Sequence, residues 1–457
     1  MKERENFASR LGFILVSAGC AIGIGNVWRF PYITGKYGGA AFVLIYLFFL
    51  VIMGLPVMIM EFAVGRAAGL SVGRSFEKLE PEGSRWHLFS HFAFAGNYIL
   101  MMYYTTVSGW MLAYVYKMAA GEFEGMKSGG AAEIFQNMLA DPGYQIFWML
   151  ATIAIGFLVC GRGLQNGVEK ISKPMMISLF VLMLILAVRS LLLPGGEKGL
   201  EFYLVPDFAN VREQGLFTVV YAAMGQAFFT LSLGVGSMSI FGSYISKERT
   251  LKTESRTIII LDTFVALMAG LIIFLACFAY DVNPGSGPGL IFVTLPEIFL
   301  KMAGGRFWGT LFFIFMCFAS LSTVIAVFEN IIAICMDVKG WSRGKAVAVN
   351  AVLLPVLSIP CVLGFNVWSG FMPFGDGSNL MDLEDFIVSN NLLPLGSLIF
   401  ILFCTSRFGW GFDRFFAEAN EGRGSRLPRW TRAYLSYILP LIMIFIFLMG
   451  YKDKFFG

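Results

Sequence analysis

Long apolar runs, separated by short charged loops, recur along the whole of this chain. Of its 457 residues, 57% are hydrophobic and 14% are charged, a balance far from that of an ordinary globular domain. A helix of about 20 apolar residues crosses the hydrocarbon core of a bilayer and satisfies its own backbone hydrogen bonds. The sequence therefore predicts an all-α polytopic membrane protein embedded in the lipid bilayer.

The apolar runs predict eleven transmembrane helices, and their order gives the membrane topology. The predicted spans are 11–36, 40–64, 88–118, 145–160, 171–193, 216–244, 257–280, 307–336, 345–362, 381–404 and 433–450. Lys and Arg collect in the loops on the N-terminal side, whereas acidic residues collect in the opposite loops. This asymmetry predicts a cytoplasmic N-terminus in the cell inner (plasma) membrane. No nucleic-acid partner is expected, because the formal net charge of +4 reflects topology.

The first and sixth spans are interrupted by residues that an ordinary spanning helix lacks. Between Ser17 and Tyr32, the first contains Gly19, Gly23, Gly25, Asn26, Arg29 and Pro31. The sixth contains Thr230, Ser232, Gly234 and Gly236. Unwound backbone is tolerated in a membrane only where it meets protein, water or a ligand, and one break alone is also compatible with a structural kink. Two breaks, five spans apart, predict an inverted-repeat transporter with its site near the middle of the membrane.

The predicted repeats divide a single transport domain that covers residues 1–457. They comprise five helices each, over 8–195 and 213–406, and 430–457 forms an additional C-terminal helix and tail. The chain carries no recognisable catalytic constellation, phosphate-binding loop or metal-ligand spacing, so neither an enzyme nor an organic cofactor is expected. A channel is a further alternative, because channels also use broken helices.

Three motifs carry a resemblance to a known family. The run GCAIGIGNVWRFPY with the following GGAAF, EFAVGR at 61–66, and AFFTLSLGVG at 227–236 together resemble the neurotransmitter:sodium symporter family. The resemblance covers nearly the whole chain and implies a leucine-transporter-like fold with helices 1 and 6 broken at mid-membrane. It also implies a sodium-coupled symporter that imports hydrophobic (aliphatic and aromatic) L-amino acids, such as tryptophan and leucine, by alternating access.

The chemistry of a zwitterion explains why broken helices suit an amino acid. Its carboxylate needs N–H donors and its ammonium needs carbonyl oxygens, and opposed half-helix ends offer both. The amides of Ile24 and Gly25 are expected to face the carboxylate. By resemblance, the ammonium would be received by the carbonyls of Ala21, Phe229 and Thr230, with Ser232 nearby.

Gly23 separates amino-acid carriers from amine carriers within this resemblance. Amine carriers place aspartate there to replace the carboxylate that their substrate lacks, so glycine predicts a ligand with its own carboxylate. A sodium-coupled transporter of an amine or another small zwitterion is the alternative. The substrate side chain is expected to meet Leu100, Tyr104, Phe229, Val235, Ser322 and Val327.

The resemblance also implies two Na⁺ sites built from oxygen ligands. The first would use Ala21, Asn26, Thr230, Asp262 and the substrate carboxylate. The second would use the carbonyls of Gly19, Ile22 and Ala319 with the hydroxyls of Ser322 and Thr323. Asp262 departs from the family, which commonly has asparagine there, and its charge predicts a transporter that does not need chloride. A protonated or loop-facing Asp262 with no role in ion binding is the alternative.

Charged and aromatic residues at the two ends of the first span are expected to form gates. The resemblance pairs Arg29 with Asp385 outside, with Tyr104 and Phe229 beneath them and Gln226 assisting. The inner gate would pair Arg4 with Asp337, beside Phe7 and Tyr244. Snorkelling to the interface is the alternative for each charge. Glu61 is expected to accept hydrogen bonds from unwound backbone.

Overall fold

The computed structural model describes residues 5–127, 129–282 and 289–456, and within these ranges the chain forms helices and no extended strand. Among these described residues, eight helices are long and apolar enough to cross a membrane, and a ninth candidate is a bent pair of helices. The principal helices are α1 (Arg10–Ala21), α2 (Gly25–Lys36), α3 (Ala40–Ala68), α4 (Phe89–Ala120), α5 (Pro142–Cys160), α6 (Leu164–Leu191), α7 (Leu216–Phe229), α8 (Ser237–Gly242), α9 (Leu251–Ala279), α10 (Gly305–Lys339), α11 (Arg343–Leu363), α12 (Leu380–Thr405) and α13 (Thr431–Lys452).

The first break separates α1 from α2, which meet at an angle of 54°. Helix α1 begins after Ser9, whose hydroxyl accepts a hydrogen bond from the Gly12 amide at 3.0 Å. It ends at Ala21, because the next residue, Ile22, takes an extended conformation (φ −70°, ψ 96°). Helical conformation resumes at Ile24, and the backbone around Gly23 is therefore left outside both regular helices.

The second break lies between α7 and α8 and includes three residues with positive φ. These are Ser232 at +50°, Gly234 at +99° and Gly236 at +75°. Positive φ is uncommon for a residue with a Cβ atom, so Ser232 is strained and the glycines relieve strain beside it. The Glu61 carboxylate of α3 accepts hydrogen bonds from the amides of Gly234 and Met238, the latter at 3.2 Å. The expected role of Glu61 is thereby confirmed.

Helix α10 occupies the centre of the molecule. Of its most apolar stretch, 83% is buried, compared with 33% for α11 and α13. It packs against α4, α5 and α6, and also against α1 and α8, so both broken helices have a long, rigid neighbour. At one end of this core, residues 289–301 are helical, and the buried Phe292 accepts a hydrogen bond at its carbonyl from the Tyr114 hydroxyl at 2.9 Å.

A buried ion pair fixes the far end of α3. The Arg66 Nε atom lies 2.6 Å from the Glu418 carboxylate, and their side chains are 1% and 9% exposed. Removing one member of a buried pair typically costs about 3–5 kcal/mol. Lys247, whose side chain is 50% exposed, also contacts the Glu418 carboxylate at 3.1 Å, so Arg66→Ala would remove the buried partner and leave the half-exposed one. We expect Arg66→Ala to lower the thermal unfolding midpoint of the purified protein strongly.

The exposed pair between Arg74 and Glu77 provides the matched control. Its side chains are 50% and 52% exposed, so Arg74→Ala is expected to cost under about 1 kcal/mol. Equal midpoints for the two alanine variants would contradict a structural role for the buried pair.

Candidate functional site

The two helix breaks face each other inside the protein. The Gln226 side chain of α7 donates a hydrogen bond to the Gly25 carbonyl of α2 at 3.1 Å. A Cβ atom on Gly25 would lie 2.9 Å from the Phe229 ring, so the glycine is needed for this close approach. Gly25, Phe229 and Thr230, which were predicted to line one site, are therefore brought together.

Asn26, Thr230 and Asp262 form one cluster of polar groups, all buried. The Asn26 amide nitrogen donates to the Asp262 carboxylate at 2.8 Å and to the Asp262 carbonyl at 3.2 Å. The Thr230 hydroxyl donates to the second carboxylate oxygen at 3.3 Å, and the Asn26 side-chain oxygen accepts from the Gly23 amide at 3.2 Å. Asp262 consequently faces the protein interior and does not face a loop.

A second cluster joins α10 to the end of α1. The Ser322 hydroxyl lies 2.8 Å from the Ala319 carbonyl and 3.3 Å from that of Ile22. The Thr323 hydroxyl lies 3.3–3.4 Å from the carbonyls of Gly19 and Ile22. Five oxygens thus converge where the resemblance expects a sodium site. Carbonyl and hydroxyl oxygens are suitable ligands for a hard monovalent cation, so the donor set fits Na⁺.

The Tyr104 hydroxyl occupies the position next to the first break. It accepts a hydrogen bond from the Ile24 amide at 3.1 Å, the amide that the sequence assigned to a substrate carboxylate. A Cβ atom on Gly23 would collide with this hydroxyl and would lie 2.6 Å from Thr323 Oγ1. Glycine is therefore the residue that fits at position 23.

The predicted side-chain pocket is apolar apart from hydroxyl groups. Leu100, Val235, Ser322 and Val327 are buried, whereas Phe229 and Ser232 are partly exposed. A Cβ atom on Gly96 would lie 3.2 Å from Val235, so Val235 packs closely against α4. Ala21, the last residue of α1, lies at the edge of the same break.

Arg29 and Asp385 line one cavity of about 330 Å³ on the predicted outer side, but they are not paired. The Arg29 guanidinium lies 4.1 Å from the centre of the Phe229 ring, and the Asp385 carboxylate accepts a hydrogen bond from Ser389 at 2.8 Å. Among the residues described, no ion pair within 4.0 Å involves Arg29. The direct contact is not formed in this conformation, where each group has another neighbour and the cavity lies beside both, and the pairing stays a prediction.

The predicted inner gate is present in part. The rings of Phe7 and Tyr244 meet edge to face at 5.9 Å, and the Phe7 amide donates to the Tyr244 carbonyl at 3.4 Å. Asp337 accepts a hydrogen bond from the Ser71 amide at 2.7 Å. Arg4, its expected partner, lies outside the described residues.

Two charged residues near Tyr244 were missed from the sequence. Glu329 of α10 is fully buried, and it accepts a hydrogen bond from the Tyr244 hydroxyl at 2.9 Å. Arg343 of α11 donates to both oxygens of this carboxylate at 2.7 and 2.8 Å. A carboxylate within an apolar span is a functional candidate by default, so position 329 carried a usable signal.

Interrupted membrane helices that meet in the protein interior are typical of secondary transporters. The comparisons with known proteins agree with this class. The model of the sodium:neurotransmitter symporter family matches residues 4–125 and 130–454, and the chain belongs to this family. It is therefore a multi-pass membrane protein and a sodium-dependent transporter, as predicted, and is not an enzyme.

The relatives include bacterial and animal transporters. The sodium-dependent transporter YhdH of Bacillus subtilis strain 168 is 33% identical, over 97% of this chain and 96% of its own. The sodium-dependent serotonin transporter of Drosophila melanogaster is 26% identical over 99% of this chain and 78% of its own. The crystal structure of MhsT in complex with L-phenylalanine matches with a TM-score of 0.87 and 37% identity, covering 98% of this chain and 100% of MhsT.

Proposed function

We propose that this transporter is a sodium-coupled symporter that imports hydrophobic L-amino acids by alternating access. The proposal rests mainly on the place where the two helix breaks meet. There Gly23 lies between the cluster that contains Asn26 and the cluster that contains Thr323. A carboxylate placed there would be near the Ile24 amide and the Asn26–Asp262 cluster. Substrate and ion would share ligands, so each would favour binding of the other.

The proposed architecture has eleven spans, with the N-terminus in the cytoplasm and the chain in the inner (plasma) membrane. Two of the eleven spans are not identified by apolarity alone. Helix α4 would be one of them, since it is 32 residues long but contains Tyr, Thr and Ser residues that lower its hydropathy. Helices α7 and α8 together would be the other. The repeats would cover 8–195 and 213–406, with 430–457 added. The corresponding breaks after α1 and α7 support this division.

Two Na⁺ ions would bind at the two oxygen clusters, and the transporter would not require chloride. The first cluster has a carboxylate, Asp262, while Ala266, one turn further along α9, has no hydroxyl group to offer an anion. A negative side chain that is already present removes the need for a bound anion of the same charge.

The substrate would be an aliphatic or aromatic amino acid, tryptophan and leucine among them. The pocket is lined by the apolar side chains of Leu100, Val235 and Val327. These residues offer no charge that could pair with an acidic or basic side chain of a substrate. The similar MhsT was crystallised with L-phenylalanine. The similarity to a serotonin transporter keeps an amine as the second candidate, which Gly23 disfavours.

The gates would close on alternate sides of this site. Outside, Arg29 and Asp385 would approach each other across the cavity that both line, above Tyr104 and Phe229. Inside, Phe7 packed on Tyr244 and the Arg343–Glu329 pair would separate along with the proposed Arg4–Asp337 contact. Either substrate or sodium alone would leave this closure incomplete.

Uptake into proteoliposomes tests the proposal. Labelled tryptophan and leucine would be supplied under an inward sodium gradient, with choline replacing sodium or gluconate replacing chloride in parallel. Uptake that needs sodium and ignores chloride is expected. Saturable uptake without sodium would overturn the coupling, and uptake of an amine in place of both amino acids would favour the second candidate.

Ser322→Ala is expected to raise the sodium concentration required for half-maximal uptake about tenfold, equivalent to about 1.4 kcal/mol. The hydroxyl that lies 3.3 Å from the Ile22 carbonyl would be lost from the second cluster. Ser320→Ala is the control, because Ser320 is buried in the same helix and, among the described residues, its hydroxyl donates to the Cys317 carbonyl alone, at 3.2 Å. Equal sodium activation in the two variants would remove Ser322 from the proposed site.

A further inference from the structure

Seven acidic side chains are buried in the described part of the chain, and one of them differs from the rest. They are Glu61, Glu169, Glu254, Asp262, Glu329, Glu384 and Glu418. Six receive hydrogen bonds from amides, hydroxyls or cationic side chains. Neither carboxyl oxygen of Glu384 has a hydrogen-bond partner within the residues described, although the residue is only 4% exposed.

Within the part of the chain that the structure describes, no cationic side chain forms an ion pair with Glu384. It lies in the first turns of α12, which pack against α4 and α11. The Cys361 thiol of α11 faces it, and Thr106 of α4 lies beside that thiol. The titratable groups nearest along its own helix, Asp382 and Asp385, are acidic.

A carboxylate in such a place would cost several kcal/mol, because burial removes its hydration and the Cys361 thiol that faces it is only a weak hydrogen-bond donor. Asp382 and Asp385 would add repulsion. Tyr103 of α4, a further titratable group near this end of α12, is buried, and a phenol supplies no positive charge. The neutral carboxylic acid is therefore the form that this packing accommodates.

We propose that Glu384 is a proton-binding site linked to the outer gate. The side chain holds a proton while the beginning of α12 packs against α4 and α11. When that packing opens, the O–H bond breaks, the proton passes to water in the outer cavity, and the carboxylate becomes hydrated. Asp385, the next residue, already lines that cavity with Arg29, so a movement that exposes Glu384 also changes the gate.

Infrared difference spectroscopy of the full-length protein in lipid bilayers tests the proton site directly. The spectrum of the unsubstituted protein minus that of Glu384→Gln is expected to show the C=O stretch of a protonated carboxylic acid at pH 7, and alkaline buffer is expected to remove it. Gln has the shape of the neutral acid, so this variant keeps the packing. Asp382→Asn is the control, because the Asp382 carboxylate is partly exposed and accepts a hydrogen bond from the Asn379 amide at 2.8 Å, so it is expected to contribute no band of a protonated acid. An ionised-carboxylate band for Glu384 at pH 7 would overturn the proposal.

The link to the gate rests on the proposed transport function and has its own measurement. Sodium-driven leucine uptake is expected to fall about tenfold as the external pH is raised from neutral to strongly alkaline, and Glu384→Gln should abolish most of this fall. Parallel pH profiles for the two proteins would overturn the link. A complete lack of amino-acid uptake would instead contradict the proposed function, while the infrared result would still decide whether Glu384 binds a proton.

Discussion

Replacement of Gly23 by alanine is expected to reduce sodium-driven amino-acid uptake by about 100-fold, which corresponds to about 2.7 kcal/mol of lost binding. The added methyl group would collide with the Tyr104 hydroxyl and lie 2.6 Å from the Thr323 hydroxyl oxygen. Both hydroxyls already make polar contacts. The Tyr104 hydroxyl accepts a hydrogen bond from the Ile24 amide, and the Thr323 hydroxyl lies against the carbonyls of Gly19 and Ile22. One methyl group would therefore disturb the proposed substrate site and the second sodium site together.

The control for this substitution is Gly344→Ala, which adds the same methyl group to the first turn of α11. A Cβ atom there would meet no other atom within 4 Å, so uptake should be unchanged. Substrate binding to the purified protein, measured with and without sodium, would separate a binding defect from poor folding. If Gly23→Ala binds leucine with unaltered affinity and sodium dependence, the proposed position of the site is wrong.

The positions of the breaks could be predicted from sequence because their cause is local. Gly23 lies in the break of the first span. Gly234 and Gly236 lie in the break of the sixth, where both have positive φ. The grouping of Ala319, Ser322 and Thr323 was also accessible, since residues three and four apart share one face of a helix. Their approach to the end of α1 came from the family resemblance.

Contacts between distant parts of the chain could not be predicted in this way. Nothing local pairs Arg66 with Glu418, or Arg343 with Glu329, because these partners meet only after the helices have packed. The separation of Arg29 from Asp385 depends on the conformation of a moving protein, which a sequence does not specify. The lack of a strong hydrogen-bond donor for Glu384 among the described residues is likewise a property of the packed helices.

Asp262→Asn should separate the charge of the first cluster from its hydrogen bonds. An asparagine oxygen can accept from Asn26, as Asp262 does at 2.8 Å, and its amide can donate to the Thr230 hydroxyl that now lies 3.3 Å from the carboxylate. The cluster would therefore keep its geometry and lose one negative charge in a fully buried place. The folded structure should tolerate this change.

Asp262→Asn is expected to weaken sodium binding. A buried carboxylate attracts a nearby cation strongly because the surrounding medium screens charge poorly, so its loss is expected to lower uptake in gluconate medium by about tenfold or more. Chloride added to the variant should restore part of that uptake if an anion can replace the missing charge. Asp207→Asn, which removes a charge from an exposed helix cap that asparagine also suits, should leave uptake unchanged. If Asp262→Asn transports normally without chloride, the charge of Asp262 has no part in binding sodium, and the proposed explanation of chloride independence is wrong.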